Sequence, residues 1–294
     1  RTVVKRQSGA TGFSRLCNSR TSRYFYTMRD QVKDKKFFKN YLVEANRLIE
    51  KRLRKLREGL IKTERIQIVK TDMISQYLEA TIATYSSGGS KVEMLSYYSN
   101  VFDLIDQHWN EAQKMEYKRK ILDQYGLSNY HQILTVLSLG VLLDVSNKEF
   151  EKVARVIERD QVKDLIYSLI ISHKLSDRQM STEESYQDTF GVPEFYSTLR
   201  EAVLEKDQVR SAELVQRFVE QEWYENFKKE GPGMVEIHNH PDNIYYGYWC
   251  FEAAAVVKIK GLDDNSFRDH PYYPADLVHG MDEPPKKKKG FLGW

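Results

Sequence analysis

Cysteine is scarce: the 294 residues contain two, Cys17 and Cys250. That excludes a disulfide-stapled scaffold and any zinc site built on paired cysteines, and it makes a reducing cytoplasm the expected compartment. Long apolar runs are missing too. The longest, residues 133–143, is broken by Thr135, Ser138 and Gly140. It falls well short of the ~20 residues of a membrane span and reads as a core helix. Residues 1–28 have no apolar h-region, so no secretion signal is expected in them. No glycine-rich phosphate loop and no Gly-x-Ser-x-Gly elbow occurs. Alternation of apolar and polar residues never persists, and Met234–Ile237 is the one stretch expected to be able to form a strand.

What is present is helical periodicity in a chain that is 41% hydrophobic and 30% charged. Phe38, Leu42, Ala45, Ile49, Leu53, Leu56 and Leu60 recur at steps of three and four, in a pattern that turns helical from Arg29. A second helix spans Glu64 to Tyr85 and ends at Ser87-Gly88-Gly89. A third, from Ser90, carries Leu95, Tyr98, Phe102, Ile105 and Trp109. Asn129, Asn147 and Asp160 are positioned to start the next three, and Pro193 to open another. Asp207 is placed to cap a long helix that ends at Gly231-Pro232-Gly233, and Asp242 to cap one over residues 243–260. The expectation is an all-α multi-helix bundle in two packed subdomains. They are an N-terminal domain over 29–180 and a C-terminal domain over 181–281, flanked by a flexible basic leader (1–28) and a Lys-rich tail (282–294). Arg29–Asp34 and Arg159–Asp164 share the hexapeptide Arg-Asp-Gln-Val-Lys-Asp, and no longer repeat can be aligned.

Charge is unevenly distributed. Residues 1–23 carry six basic and no acidic residues, whereas 182–281 carry 9 basic and 19 acidic, a net −10. An acidic body suits a basic partner, and enzymes that cleave nucleic acid are basic where they grip phosphate. The basic face of the first helix could serve nucleic acid directly, but Glu44, Glu50 and Glu58 interleave it, which fits a solvated face. Direct nucleic-acid binding is not expected.

Two constellations could carry chemistry. His238-Asn239-His240 could hold a metal with help from Asp242, His270, Asp276 or His279, which would make the chain a metal-dependent hydrolase. The bland reading is a polar loop capped by Asp242. Glu252 would share a helix face with Tyr245, Tyr248 and Trp249, as a raised-pKa acid or as a structural carboxyl bonded by aromatic hydroxyls or a helix N-terminus. The structural reading is preferred for both. Cys250 reads as a small buried hydrophobe. No catalytic residue, metal or cofactor is assigned.

Arg29 to Lys36 with Phe37-Phe38, Tyr85-Ser86-Ser87-Gly88, Leu139 to Asp144, and Lys163 to Ile166 with Leu169-Ile170 resemble the N-terminal domain of PoNi-type immunity proteins. Tyr246-Gly247-Tyr248-Trp249-Cys250-Phe251-Glu252-Ala253-Ala254-Ala255 is similar to that family's C-terminal signature. The likeness continues through Gly261-Leu262-Asp263-Asp264 and Asp269-His270-Pro271-Tyr272-Tyr273-Pro274 to Asp276-Leu277. The resemblance implies a non-enzymatic antitoxin of interbacterial competition, made beside a nuclease toxin that a bacterial secretion system, such as type VI, delivers. The cognate nuclease would be its partner, held at its active site or DNA groove. The signature residues Tyr246, Gly247, Tyr248, Trp249, Glu252, Pro271, Tyr272, Tyr273 and Pro274 read as packing. Nuclease–immunity pairs reach Kd values of about 10⁻¹³–10⁻¹⁶ M, combining charge steering with a few aromatic anchors. From the acidic region, Glu222, Glu225, Asp263, Asp264 and Asp269 are the expected contact acids, with Tyr272 and Tyr273 as anchors.

Overall fold

The computed structural model describes residues 28–186, 192–230 and 235–281. The expectations for the leader (1–27), for Gly231-Pro232-Gly233 and for the Lys286–Lys289 tail lie outside them. The chain is predominantly helical. α1 (Lys35–Arg57), α2 (Thr63–Ser86) and α3 (Lys91–His108) are followed by a hairpin of β1 (Lys114–Tyr117) and β2 (Lys120–Tyr125). Then come α4 (Leu127–Leu142), α5 (Asn147–Arg159), α6 (Leu165–Lys174), α7 (Val192–Phe195) and α8 (Ser197–Leu204). α9 (Gln208–Arg217) runs through a π-helical segment, Phe218–Glu222, into α10 (Trp223–Lys229), and α11 (Phe251–Lys260) and α12 (Ala275–His279) complete the fold.

Caps explain most helix starts. Ser90 and Glu93 form a reciprocal capping box at α3, and Asp207 accepts from the Arg210 N–H at α9. Elsewhere the cap differs from the expected residue. Ser146, not Asn147, caps α5. Gly126 precedes α4, while the Asn129 amide donates to the Gln113 carbonyl (2.8 Å). Asp160 closes α5, and Asp164 caps α6 by accepting from the Tyr167 N–H (2.8 Å). The same correction applies at Arg29, since α1 starts only after Asp34, which accepts from the Phe37 N–H.

The repeated hexapeptide therefore performs one local task twice. Its last aspartate caps a helix, Asp34 for α1 and Asp164 for α6. Its first aspartate is buried and accepts from a distant tyrosine hydroxyl, Asp30 from Tyr245 and Asp160 from Tyr125. Its arginine donates to backbone carbonyls, Arg29 to Tyr85 and Gly89 and Arg159 to Trp109.

The hairpin was not anticipated, and Met234–Ile237 does not provide a strand: its described part bends at Val235-Glu236 into a 3₁₀ turn, Ile237–Asn239. β1 and β2 pair antiparallel around Lys118 (φ 49°) and Arg119 (φ 64°), a left-handed two-residue turn that usually selects glycine or asparagine.

One continuous core takes side chains from Phe38 in α1 to Leu277 in α12. At its centre α11 packs on α4, with residues 251–257 and 133–142 all buried. The consecutive alanines Ala253, Ala254 and Ala255 allow that close approach. No helix among the described residues is long and apolar enough to cross a membrane.

Arg29-Asp30, Tyr85-Ser86, Tyr246–Trp249 and Asp276, all from stretches that carry the family resemblance, converge on one buried seam. The Ser86 carbonyl accepts from the Arg29 and Asp30 N–H groups (3.1 Å each). The Ser86 hydroxyl donates to the Tyr246 carbonyl and accepts from the Trp249 indole (both 2.8 Å). Tyr85 stands edge-on to Trp249 (4.9 Å) and donates to Asp276, which also pairs with Arg29. Gly247 lies inside this seam at φ +121°, where a Cβ would come 2.1 Å from Ser86 Oγ. Only glycine meets both conditions.

That geometry overturns the expected helix over 243–260. Residues 243–250 are irregular, because Asn243 (φ 51°) and Gly247 take left-handed values. α11 begins only at Phe251, so Glu252 shares no helical face with Tyr245, Tyr248 and Trp249.

Candidate partner-binding face

The acidic C-terminal sequence meets solvent where three pieces of chain come together: the π-helical segment with α10, residues 235–250, and the loop 261–274. The extra residue per turn of a π segment shifts the helical phase, and such segments recur at functional sites. Here Phe218, Val219, Trp223 and Phe227 are buried while Glu220 and Glu225 stay exposed and Tyr224 lies half-buried at the edge.

Tyr224 is the centre of an aromatic layer. It stacks on Tyr272 at 4.9 Å with an 11° interplanar angle and meets Tyr248 edge-on at 5.6 Å. Trp223 approaches Tyr272 at 5.6 Å, and His270 and Tyr245 extend the layer through Tyr272 and Tyr248. The Cys250 N–H donates to the Tyr272 carbonyl (2.8 Å), which ties the loop to the start of α11. Half-buried Tyr224 and Tyr272 thus present rigid, amphipathic ring surface, and acids rim them. Glu222 pairs with Arg217 (2.6 Å) and Glu236 with Lys228 (3.3 Å). Burial pushes the His270 imidazole below its usual range, against the upward pull of Glu220.

The expected contact residues separate into two groups. Glu225, Asp263 and Asp269 are exposed, and Glu222 and Tyr272 are half-buried. Asp264 and Tyr273 are enclosed. The Asp264 carboxylate is held by Arg268, the Tyr273 hydroxyl (3.0 Å) and His279 (2.7 Å), which together keep it below the usual carboxylate range despite burial. All its acceptor capacity is directed inward, so this pair holds the loop rather than facing a partner. Tyr224 and Glu220 were overlooked. Tyr224 falls one position outside the Trp223/Phe227 stripe, and an aromatic out of phase beside glutamates was its only signal.

Tyr248, Trp249, Glu252, Tyr273 and Pro274 are buried, Tyr246 is half-buried, and Pro271 is exposed. Glu252 accepts from the Trp223 indole (2.7 Å) through Oε1, while Oε2 has no partner. Burial pushes this carboxyl up to about 7. The partner is thus an indole rather than the tyrosine hydroxyls expected, and Glu252 stands in the first turn of α11. Cys250 is fully buried, and its thiol is pushed up by that burial.

The histidines have local partners. His238 Nδ1 lies 3.0 Å from the Tyr248 hydroxyl, and His240 Nδ1 accepts from the Asp242 N–H (3.2 Å). Asp276 is committed to Arg29 and Tyr85, and His279 to Asp264. Among the described residues no group of three or more His, Cys, Asp or Glu side chains is arranged to hold a metal ion.

Comparison with known proteins gives the same frame from outside. The family model described as PoNe immunity protein (PoNi), N-terminal, matches residues 29–155, and that described as PoNe immunity proteins (PoNi), C-terminal, matches 162–277. No curated protein is found to match. Among solved structures, protein PA2201 from Pseudomonas aeruginosa superposes with a TM-score of 0.59 at 18% identity, over 87% of this chain and 92% of that one, which is a likeness of fold. With both halves matched in order, and with the matched motifs meeting at one buried seam, the chain belongs to the family of PoNe immunity proteins.

Proposed function

We propose that this protein binds and neutralises a cognate nuclease effector of the PoNe class, in the cytoplasm of the cell that makes the toxin, without catalysing a reaction. Family membership over residues 29–155 and 162–277 is the observation that carries this reading. The effector would be one delivered between bacteria, as by type VI secretion. The contact face is the acidic–aromatic surface of α10 and the 261–274 loop. Glu222, Glu225, Asp263 and Asp269 steer a basic nuclease, and Tyr272 with Tyr224 anchors it. Charge of the right sign raises the association rate, while buried aromatics slow dissociation. Blocking follows from covering the phosphate-gripping surface that the nuclease needs for DNA.

The test pairs the purified chain with the effector encoded beside its gene and follows binding and DNA cleavage together. Stoichiometric loss of cleavage with sub-nanomolar binding supports the proposal. Full cleavage in the presence of excess, folded immunity protein refutes it.

A further inference from the structure

A cleft of about 200 Å³ opens between α2, α4 and the aromatic segment beside the proposed face. Trp223 and Tyr248 line it and also belong to the Tyr224/Tyr272 layer, so cleft and face are continuous. Phe227, Tyr246 and Trp249 add aromatic wall to those two, and Ser75, Gln132 and Thr135 add polar wall. One carboxylate, Glu79 of α2, reaches into it. Glu79 is half-buried and accepts one long hydrogen bond from the Tyr41 hydroxyl (3.3 Å). Among the described residues no ion pair includes it; the nearest cation acting on it, Arg52 of α1, is 3.7 Å from Asp72 instead. Burial pushes Glu79 up to about 7. A half-buried carboxylate that no direct ion pair neutralises, edged by π faces, is the arrangement a guanidinium or ammonium completes, by ion pairing and by cation–π contact.

We infer that this cleft receives one cationic side chain, an arginine or lysine of the bound effector, with Glu79 as its counter-ion and the aromatic walls as its sides. The partner's identity rests on the function proposed above; the cation preference of the cleft does not. Arginine is favoured, since a planar guanidinium can stack between rings while it bonds to the carboxylate. Glu252, buried behind the Trp223 indole, also changes state near neutrality, so shifts at each pH are referenced to the cation-free protein at that pH. Burial holds His131 of α4 down to about 4, hence neutral, and keeps Tyr41 and Tyr246 protonated. Cation binding should therefore tighten as pH rises and Glu79 ionises.

The test needs no effector. N-propylguanidinium is titrated into the intact chain, and the indole N–H signals of Trp223 and Trp249 are followed by NMR, with neutral N-propylurea as the isosteric control. The expected result is saturable shifts at both indoles for the cation, no saturation for the urea, and binding about tenfold weaker at pH 6 than at pH 8, as the ionised fraction of Glu79 falls. Glu79→Gln should abolish saturation, and Glu225→Gln, on the neighbouring face, should not. Equal responses to cation and urea, unresponsive indoles, or undiminished binding by Glu79→Gln would overturn the inference. The wild-type comparison of cation with urea stands even if the variant fails to fold. Failure here leaves the immunity function intact, because no nuclease takes part in the assay.

Discussion

Replacing Glu252 with glutamine should make the protein more stable at neutral pH and should flatten its pH dependence. Glu252 is fully buried, with one oxygen on the Trp223 indole and the other without a partner. Its carboxyl is pushed from 4.5 to about 7 by burial. The folded state therefore holds a proton that the unfolded chain releases between those two pH values. In that window the unfolded state binds fewer protons, so stability falls as pH rises. At about 1.4 kcal/mol per pKa unit the full penalty is about 3 kcal/mol, of which about 2 kcal/mol falls between pH 5 and pH 7.5. Glutamine keeps the shape and an acceptor for the indole and cannot ionise. In thermal unfolding monitored by near-ultraviolet circular dichroism, the Tm of Glu252→Gln relative to wild type should rise by about 4–8 °C between pH 5 and pH 7.5. Parallel pH profiles for the two proteins would refute the reasoning, because they would mean that Glu252 is charged in both states or neutral in both.

Further predictions follow from the seam, the repeated hexapeptide and the face. Gly247→Ala combines a positive-φ penalty with a 2.1 Å clash against Ser86 Oγ and should cost about 3 kcal/mol or more in urea denaturation; a loss below 1 kcal/mol would contradict the seam. Asp34→Ala removes only a helix cap and should cost about 1 kcal/mol, whereas Asp164→Ala also takes from the buried Arg200 one of two carboxylate partners, leaving Glu184, and should cost about 3 kcal/mol. Equal losses at the two positions would show that the network around Arg200 adds nothing to the cap. Charge reversal at Glu222 and Glu225 should slow effector association at low salt with little change in Tm, while Tyr272→Ala should speed dissociation by about 30-fold or more. Unchanged rate constants for both would move the contact face elsewhere.

The helical frame was legible because long amphipathic stretches such as Phe38–Leu56 repeat at one period over many turns. Errors gathered where a single backbone conformation outweighs the pattern. The run Asn243–Cys250 has helix-compatible hydrophobicity, but Gly247 takes a left-handed angle against Ser86, and Asn243 takes one in a turn where its N–H donates to the His240 carbonyl. The hairpin escaped notice because Lys118 and Arg119 occupy turn positions that normally announce themselves as asparagine or glycine. In the proposed face, the acidity and the presence of an aromatic at Tyr272 could be read from the sequence. That Asp264 turns inward could not, since Asp263 and Asp264 are adjacent and chemically alike, and only the positions of Arg268, Tyr273 and His279 separate them. Glu79 stayed hidden for a related reason: a carboxylate within an apolar helix stripe becomes conspicuous only once the opposite wall, Tyr246 to Trp249, is in place.

The central claim is tested most directly by titrating the chain into its neighbouring nuclease effector while DNA cleavage is recorded. Cleavage should fall linearly to zero at one equivalent when both proteins are far above Kd, and Glu222/Glu225 charge reversal should slow the onset of inhibition at low salt. Cleavage that persists at many equivalents of folded protein would contradict the account.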